Sequence, residues 1–151
     1  MTIALVTGGS TGIGAAVCRL LAEKGSTVAI CDINAEVGDA LATEIGGKFI
    51  TCDVSSLTSV EAAFKTCCDE LSAPDYVHLN AGIMTVPTNT PYIPIEDLTE
   101  AQYHKIVGIN LNGVFHGMKT ALPLMREKCG AITMTASTAG LSVVPVDPMY
   151  T

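Results

Sequence analysis

Short apolar runs alternate with longer segments of helical period as far as residue 134 of this chain, and few architectures satisfy that alternation. A strand in a sheet covered on both faces reads as an unbroken apolar run, and the helix that returns the chain reads with a period near 3.6. Ile3 to Thr7 is such a run. It leads through a glycine-rich turn into Ile13, Ala16, Val17, Leu20 and Leu21, whose spacing predicts one helical face turned to the sheet. Gly25 closes that helix and Thr27 to Asp32 supplies a second strand. Asn34 caps a helix running to about Ile45, which Gly46-Gly47 ends. Phe49 to Cys52 reads as a third strand, and Val60, Ala63, Phe64, Cys67 and Leu71 mark one face of the next helix. Pro74 precedes a fourth strand, Tyr76 to Leu79. Residues 83–98 carry Pro87, Pro91 and Pro94 and cannot be regular. Thr99 with Gln102 forms a capping box that opens a long helix to about Lys128, kinked near its end by Pro123. Cys129-Gly130 stops it, and Ala131 to Met134 begins a fifth strand. The order is βαβαβαβαβ, that of a doubly wound parallel α/β sheet.

A chain of 151 residues predicts one domain. It is 48% hydrophobic and 15% charged, so it has ample material for a core and is not disordered. Its net charge of -7, with no basic run, argues against nucleic acid as a partner. The longest apolar stretch, 131–146, is broken by Thr133, Thr135, Ser137, Thr138 and Ser142, so no membrane span is expected. The N-terminus has no basic region ahead of its short apolar run, so export is not expected either. Six cysteines without C-x-x-C spacing fit a reduced, cytoplasmic compartment, and Cys67-Cys68 reads as packed thiols. His78, His104 and His116 lack the spacing of a helical metal site, so they read as structural and no metal is expected.

Thr7-Gly8-Gly9-Ser10-Thr11-Gly12-Ile13-Gly14 sits where a strand hands over to a helix. Main-chain N–H groups and the helix dipole point into such a turn, so an anion such as a phosphate fits there. Glycines let the chain turn tightly, approach the anion closely and pack the helix on the sheet. Asp32 ends the second strand 18 residues after Gly14, near the spacing of an acid that accepts hydrogen bonds from an adenosine ribose. A carboxylate there repels a 2′-phosphate, and neither Thr11 nor Ile33 supplies a compensating cation. These residues point to NAD rather than NADP. Asp32 is also placed to cap the following helix, and the two roles are compatible.

The pattern Thr7-Gly8-x-x-x-Gly12-Ile13-Gly14 resembles the short-chain dehydrogenase/reductase family, and four further segments extend the resemblance. Asn80-Ala81-Gly82 matches the core of the family's Asn-Asn-Ala-Gly motif, with Leu79 in place of the first Asn. Asp53-Val54 matches the pair that contacts adenine. Asn110, within Ile109 to Phe115, matches the helix-borne catalytic Asn. Ser137 matches the catalytic Ser, and Tyr150 follows it by 13 positions, the separation expected for the family's Tyr. The resemblance runs from residue 3 to the last residue. It implies a Rossmann-like sheet of strand order 3-2-1-4-5 and a cofactor held by Gly8, Ser10, Thr11, Gly12, Ile13, Gly14, Asp32, Asp53, Val54, Asn80, Ala81 and Gly82. It further implies interconversion of a secondary alcohol and a ketone, and a homo-oligomer formed partly through the long helix.

In the mechanism the resemblance implies, Tyr150 exchanges a proton with the substrate oxygen, Ser137 hydrogen-bonds that oxygen and Asn110 positions a water. A tyrosine of ordinary pKa near 10 is ionised in only about one molecule in a thousand at pH 7, a cost of roughly 4 kcal/mol, so a nearby cation must lower it. In the family a lysine four positions after the Tyr does this, and here that position lies beyond Thr151. A chain truly ending there is expected to bind NAD poorly and turn over very little. The fifth strand is followed by no covering helix, so continuation of the sequence and an exposed apolar edge are both expected. The competing reading is an NAD-binding or interaction module without turnover. An epimerase or dehydratase of the extended branch is disfavoured by the glycine spacing. Thr138, Leu141, Val143, Val144 and Pro145 suggest an apolar pocket wall and a secondary alcohol or ketone on a hydrophobic frame. Gly108, Gly113 and Gly117 interrupt the long helix at about 1 kcal/mol each, implying close approach by the cofactor, the sheet or another subunit.

Overall fold

The computed structural model describes residues 1–85, 93–142 and 147–150. The stretch holding Pro87 and Pro91, the Val143, Val144 and Pro145 of the expected apolar wall, and Thr151 lie outside the described residues. Five parallel strands form one sheet in the order β3-β2-β1-β4-β5, as expected. They are β1 (Thr2–Thr7), β2 (Ser26–Asp32), β3 (Lys48–Thr51), β4 (Tyr76–Leu79) and β5 (Ala131–Met134). The helices are α1 (Gly12–Glu23), α2 (Ala35–Ile45), α3 (Leu57–Glu70), α4 (Glu100–Val107) and α5 (Gly113–Met125).

Successive residues of a strand face opposite sides, so β1 feeds two cores. Ile3 and Leu5 join Ala29, Cys31, Val77 and Leu79 beneath α3 and α5, where Phe64 and Ala121 are buried. Ala4 and Val6 join Val28 and Ile30 beneath α1 and α2, against Cys18 and Leu41. At the β4–β5 edge Tyr76 and Met134 are 45% and 50% exposed, the apolar edge that the pattern predicts. Among the described residues no helix is long and apolar enough to cross a membrane. All six cysteines are free, and burial pushes the Cys18 and Cys67 thiols up to about 12.

Two sequence expectations need correction. On α1 Val17 and Leu21 pack toward the sheet as expected, but the buried stripe is Gly14, Ala15 and Cys18, whereas Ile13 and Leu20 are 65% and 54% exposed. The reason is steric. A Cβ at position 14 would lie 2.1 Å from the Gly8 carbonyl oxygen, so the helix must turn its smallest residues inward to close on the glycine turn. The long helix runs without a break from Glu100 to Met125, as expected, but does not keep one pitch. The capping box forms, with Thr99 Oγ1 accepting from Gln102 N–H and Gln102 Oε1 from Thr99 N–H, but a π-helical turn at Gly108–Asn112 separates α4 from α5. Pro123 lies within α5, which ends at Met125 instead of near Lys128, because proline removes a main-chain donor from the last turns.

The helix glycines serve close packing on the sheet and its loops. A Cβ on Gly117 would fall 2.4 Å from Leu79 Cδ2, and one on Gly113 2.8 Å from Val54 Cγ2.

Candidate functional site

A groove of about 470 Å³ opens at the carboxyl ends of the strands, where strand order reverses between β1 and β4. Doubly wound sheets bind ligands at this switch point, because the loops leaving neighbouring strands part there in opposite directions. Gly8, Thr11, Gly12, Ile13, Asp32, Asp53, Val54, Asn80, Ala81, Gly82 and Tyr150 all line it.

The glycine turn forms one wall. Gly8 has φ +62°, and a Cβ on it would lie 2.7 Å from Ala81 Cα, so this turn and the loop after β4 meet backbone to backbone. Thr7 Oγ1 accepts from the N–H groups of Asn80 and Ala81 at 3.0 and 3.3 Å, and Asn80 Nδ2 donates to the Gly8 carbonyl at 3.1 Å. Thr135 Oγ1 then donates to Asn80 Oδ1 at 2.9 Å. Asn80 thus braces the turn. α1 begins at Gly12 with no side-chain cap from Thr11 and no acid in its first turn, which leaves its N–H groups facing the groove for an anion.

Two acids stand beside the glycine turn, Asp32 at the end of β2 and Asp53 after β3. Asp32 Oδ2 accepts from Ser10 N–H at 3.0 Å and Oδ1 from Asn34 N–H at 3.1 Å. It does not cap α2. Asn34 does, its side chain accepting from Val37 N–H at 3.3 Å. Asp53 Oδ1 accepts from the N–H and hydroxyl of Ser55 at 2.9 and 2.7 Å. His116 Nδ1 lies 2.9 Å from the Val54 carbonyl and helps fix the loop that carries both residues. Cys52 lines the groove between these acids, its N–H donating to the Asp32 carbonyl at 2.9 Å. A hydrogen bond with Cys52, then burial, pushes the Cys31 thiol up, and the same bond draws Cys52 down.

Ser10 and Gly14 lie behind the lining, not in it. Ser10 is buried with its hydroxyl 3.5 Å from the Asn34 carbonyl, and Gly14 is pressed against Gly8 and Asn80. The carboxamide of Asn110, on the π-helical turn, pairs twice with the main chain of Ile83: Nδ2 donates to the carbonyl and Oδ1 accepts from the N–H, both at 2.8 Å. Ser137 is exposed and outside the lining, its Oγ accepting from Ala139 N–H at 3.1 Å to cap a 3₁₀ turn at Thr138–Gly140. The structure therefore brings Tyr150 to the glycine turn and the two acids but leaves Ser137 at the surface.

Sequence reasoning passed over Cys52, Ile83, Met84, Ile109 and Thr135, which also line the groove. Their only signal was adjacency to motif residues. His78 reads correctly as structural: Nδ1 is 2.8 Å from Thr133 Oγ1 and Nε2 is 3.3 Å from Thr135 Oγ1, and burial holds its pKa below the usual range. Among the described residues no three His, Cys, Asp or Glu side chains cluster in a way that would hold a metal ion.

These features fit a dinucleotide: a donor-rich turn at one end, carboxylates spaced along the strand ends, and open space at Gly12, where a Cβ would meet nothing within 4 Å. Comparison with known proteins agrees. The short-chain dehydrogenase reductase ATA1 of Arabidopsis thaliana is 36% identical over 141 residues, covering 92% of this chain and 50% of its own length. A 3-ketoacyl-(acyl-carrier-protein) reductase from Brucella melitensis, solved with NADH, superposes with a TM-score of 0.91 at 25% identity, over 99% of this chain and 62% of that one. An alcohol dehydrogenase from Thermococcus sibiricus, solved with 5-hydroxy-NADP, gives 0.86 at 28% identity, over 99% and 64%. The chain spans about half the length of the curated relatives it matches. A family model described as short chain dehydrogenase matches residues 2–151, and the chain belongs to that family.

Proposed function

We propose that this chain forms the nucleotide-binding domain, and carries the proton-transfer tyrosine, of an NAD-dependent oxidoreductase that interconverts a secondary alcohol and a ketone. One observation carries the reading: Tyr150 lines the same groove as the open α1 N-terminus and Asp32. When bound, the dinucleotide supplies the hydride acceptor or donor. The α1 N–H groups with Gly8, Thr11, Gly12 and Ile13 would hold its phosphates, and Asp53 and Val54 would take the adenine. Asp32 is already oriented by Ser10 and Asn34 and accepts from the ribose hydroxyls. No cation stands at Thr11 or Ile33 to offset a 2′-phosphate, so NAD is favoured. Tyr150 exchanges a proton with the substrate oxygen. Asn110 contributes by fixing Ile83 beside the cofactor's path. Ile83, Met84 and Ile109 give the substrate end an apolar lining, suited to an alcohol or ketone on a hydrophobic frame.

Calorimetry with NAD+ and NADP+ tests the first half of this reading, and absorbance at 340 nm with a panel of secondary alcohols tests the second. NAD+ binding at least ~10-fold tighter than NADP+, equivalent to about 1.4 kcal/mol, is expected. Equal affinity for both ends the assignment to Asp32.

A second reading, binding without turnover, is favoured by the exposed Ser137, whose hydroxyl is engaged by Ala139 N–H outside the groove. NAD+ binding with no alcohol-dependent absorbance change selects it.

We also propose self-association through α4 and α5. Tyr103, Leu111, Phe115 and Leu122 are 48–65% exposed on this helical segment, a run of apolar surface that a second copy would cover. Sedimentation equilibrium of the protein and of Phe115→Glu tests it, the charge being expected to shift the population to monomer. The six free thiols are compatible with a reducing compartment, and we propose the cytoplasm on that ground.

A further inference from the structure

Asp147 belongs to no motif, yet it is the most deeply buried acid among the described residues, at 1% exposure. A buried carboxylate is tolerated when its oxygens are hydrogen-bonded, and here they reach two separate parts of the chain. Oδ2 accepts from Thr85 N–H at 2.7 Å, and Oδ1 accepts from Tyr150 N–H at 3.2 Å. The Asp147 carbonyl also accepts from Tyr150 N–H at 3.2 Å. The Tyr150 bond has the form of a helix cap, a side-chain oxygen taking the N–H three residues on. The Thr85 bond links that turn to a residue 62 positions away.

Thr85 directly follows the stretch from Asn80 to Met84 that lines the groove. Its hydroxyl is buried without a hydrogen-bond partner among the described residues, while its N–H is held by Asp147. Asn110 clamps the same loop two residues earlier, at Ile83. The loop is thus pinned to α4–α5 at one point and to the tyrosine turn at the other. We propose that Asp147 is a positioning residue that sets Tyr150 against the cofactor groove by tying its turn to Thr85. The proposal rests on the reading of Tyr150 as the proton-transfer group and extends it to the carboxylate behind it.

The test uses the whole chain labelled with 3-fluorotyrosine, the Tyr150 fluorine signal being assigned with Tyr150→Phe. Asp147→Ala is expected to move that signal toward the free-tyrosine position. It should also raise amide exchange at Thr85 and Tyr150 at least ~10-fold, while the strand amides of Val6 and Ile30 stay protected. Asp147→Asn keeps the shape but turns an amide donor toward one of the two N–H groups. It should release one of the two amides, and it serves as the measurement if the alanine variant does not fold. In turnover, kcat falls while KM for the cofactor stays within about 2-fold, because the loss lies in placing the tyrosine rather than in binding. An unmoved fluorine signal with unchanged exchange at Thr85 and Tyr150 overturns the proposal. If Tyr150→Phe leaves turnover intact, the assignment of Tyr150 as proton-transfer group fails. The fluorine and exchange data still decide whether Asp147 holds the turn.

Discussion

The two walls of the groove are built by different means. On the β1–α1–β2 side the work is done by backbone approach: Gly8 lies against Ala81, Gly14 against Gly8, and the α1 N–H groups stand open. On the β4–β5 side it is done by side chains reaching far along the chain: Asn110 to Ile83, Thr135 to Asn80, and Asp147 to Thr85. A site made of backbone is specified by where side chains are forbidden. A site made of long-range hydrogen bonds is specified by partners that no local pattern displays. The first wall should therefore fail abruptly when any atom is added, and the second should fail in steps as single bonds are removed.

Adding one methyl group to the first wall has the largest expected effect. Gly14→Ala places a Cβ 2.1 Å from the Gly8 oxygen and 2.7 Å from Asn80 Nδ2, and the first of these is main chain that cannot swing aside. Overpacking of this kind costs about 1–3 kcal/mol. At about 2–4 °C per kcal/mol for a chain of this size, melting should fall by roughly 2–12 °C. NAD+ binding should drop below detection by calorimetry because the turn is displaced. Gly12→Ala is the control. Its site is open space but has φ +54°, so it should cost about 1–2 kcal/mol of strain and leave the turn in place.

Next in size is Asn110→Ala on the second wall, which removes both bonds to Ile83 and leaves a part-buried N–H and carbonyl unpaired. Each unsatisfied group costs about 1–3 kcal/mol, so stability should fall by a few kcal/mol in a chemical denaturation curve. Nucleotide binding should weaken far less than in Gly14→Ala. If the two variants lose NAD+ equally, the division between the walls is wrong.

Asp32→Asn follows. It removes the charge that excludes a 2′-phosphate but keeps an acceptor for one of the Ser10 and Asn34 N–H groups. Discrimination between NAD+ and NADP+ should shrink by about 10-fold in competitive binding, about 1.4 kcal/mol, with little change in melting.

The same division explains how much was legible in the sequence. The alternation of strands and helices, the caps at Asn34 and Thr99 and the glycine turn were readable, because each is encoded within a few residues by periodicity or by a residue type that only one geometry accepts, whereas the strand order followed from the family resemblance. The face of α1 was read in part: Val17 and Leu21 do pack on the core, but apolar periodicity also marked Ile13 and Leu20, whereas contact with Gly8 and Asn80 turned Gly14, Ala15 and Cys18 inward. The π-helical turn at Gly108–Asn112 had no signal, since one widened turn leaves the composition of a helix unchanged. Asp147 was invisible for the same reason as Thr135: its partner lies tens of residues away, and nothing near it marks it as buried.

The joint between the walls offers the smallest and most specific break. At the end of the sheet away from the groove, Asp75 Oδ2 accepts from Ile3 N–H at 2.8 Å, and Asp75 N–H donates to the Ile3 carbonyl at 2.8 Å, which locks β4 to β1. The Ile3 N–H, with Lys128 at 3.3 Å, holds the Asp75 carboxyl below its usual range. A carboxyl lowered in the folded state contributes stability that is complete above its unfolded value, about 3.9. That contribution is lost as pH falls through the lower folded value. Asp75→Asn should therefore cost about 1 kcal/mol or less at pH 7, since the site is solvent-screened, and should flatten the loss of stability below about pH 4. NAD+ affinity should not change, because both walls keep their own bonds. Denaturation at pH 7 and pH 3 with calorimetry alongside checks this. A matching loss of nucleotide affinity would show that the walls depend on the β1–β4 joint and are not separately built.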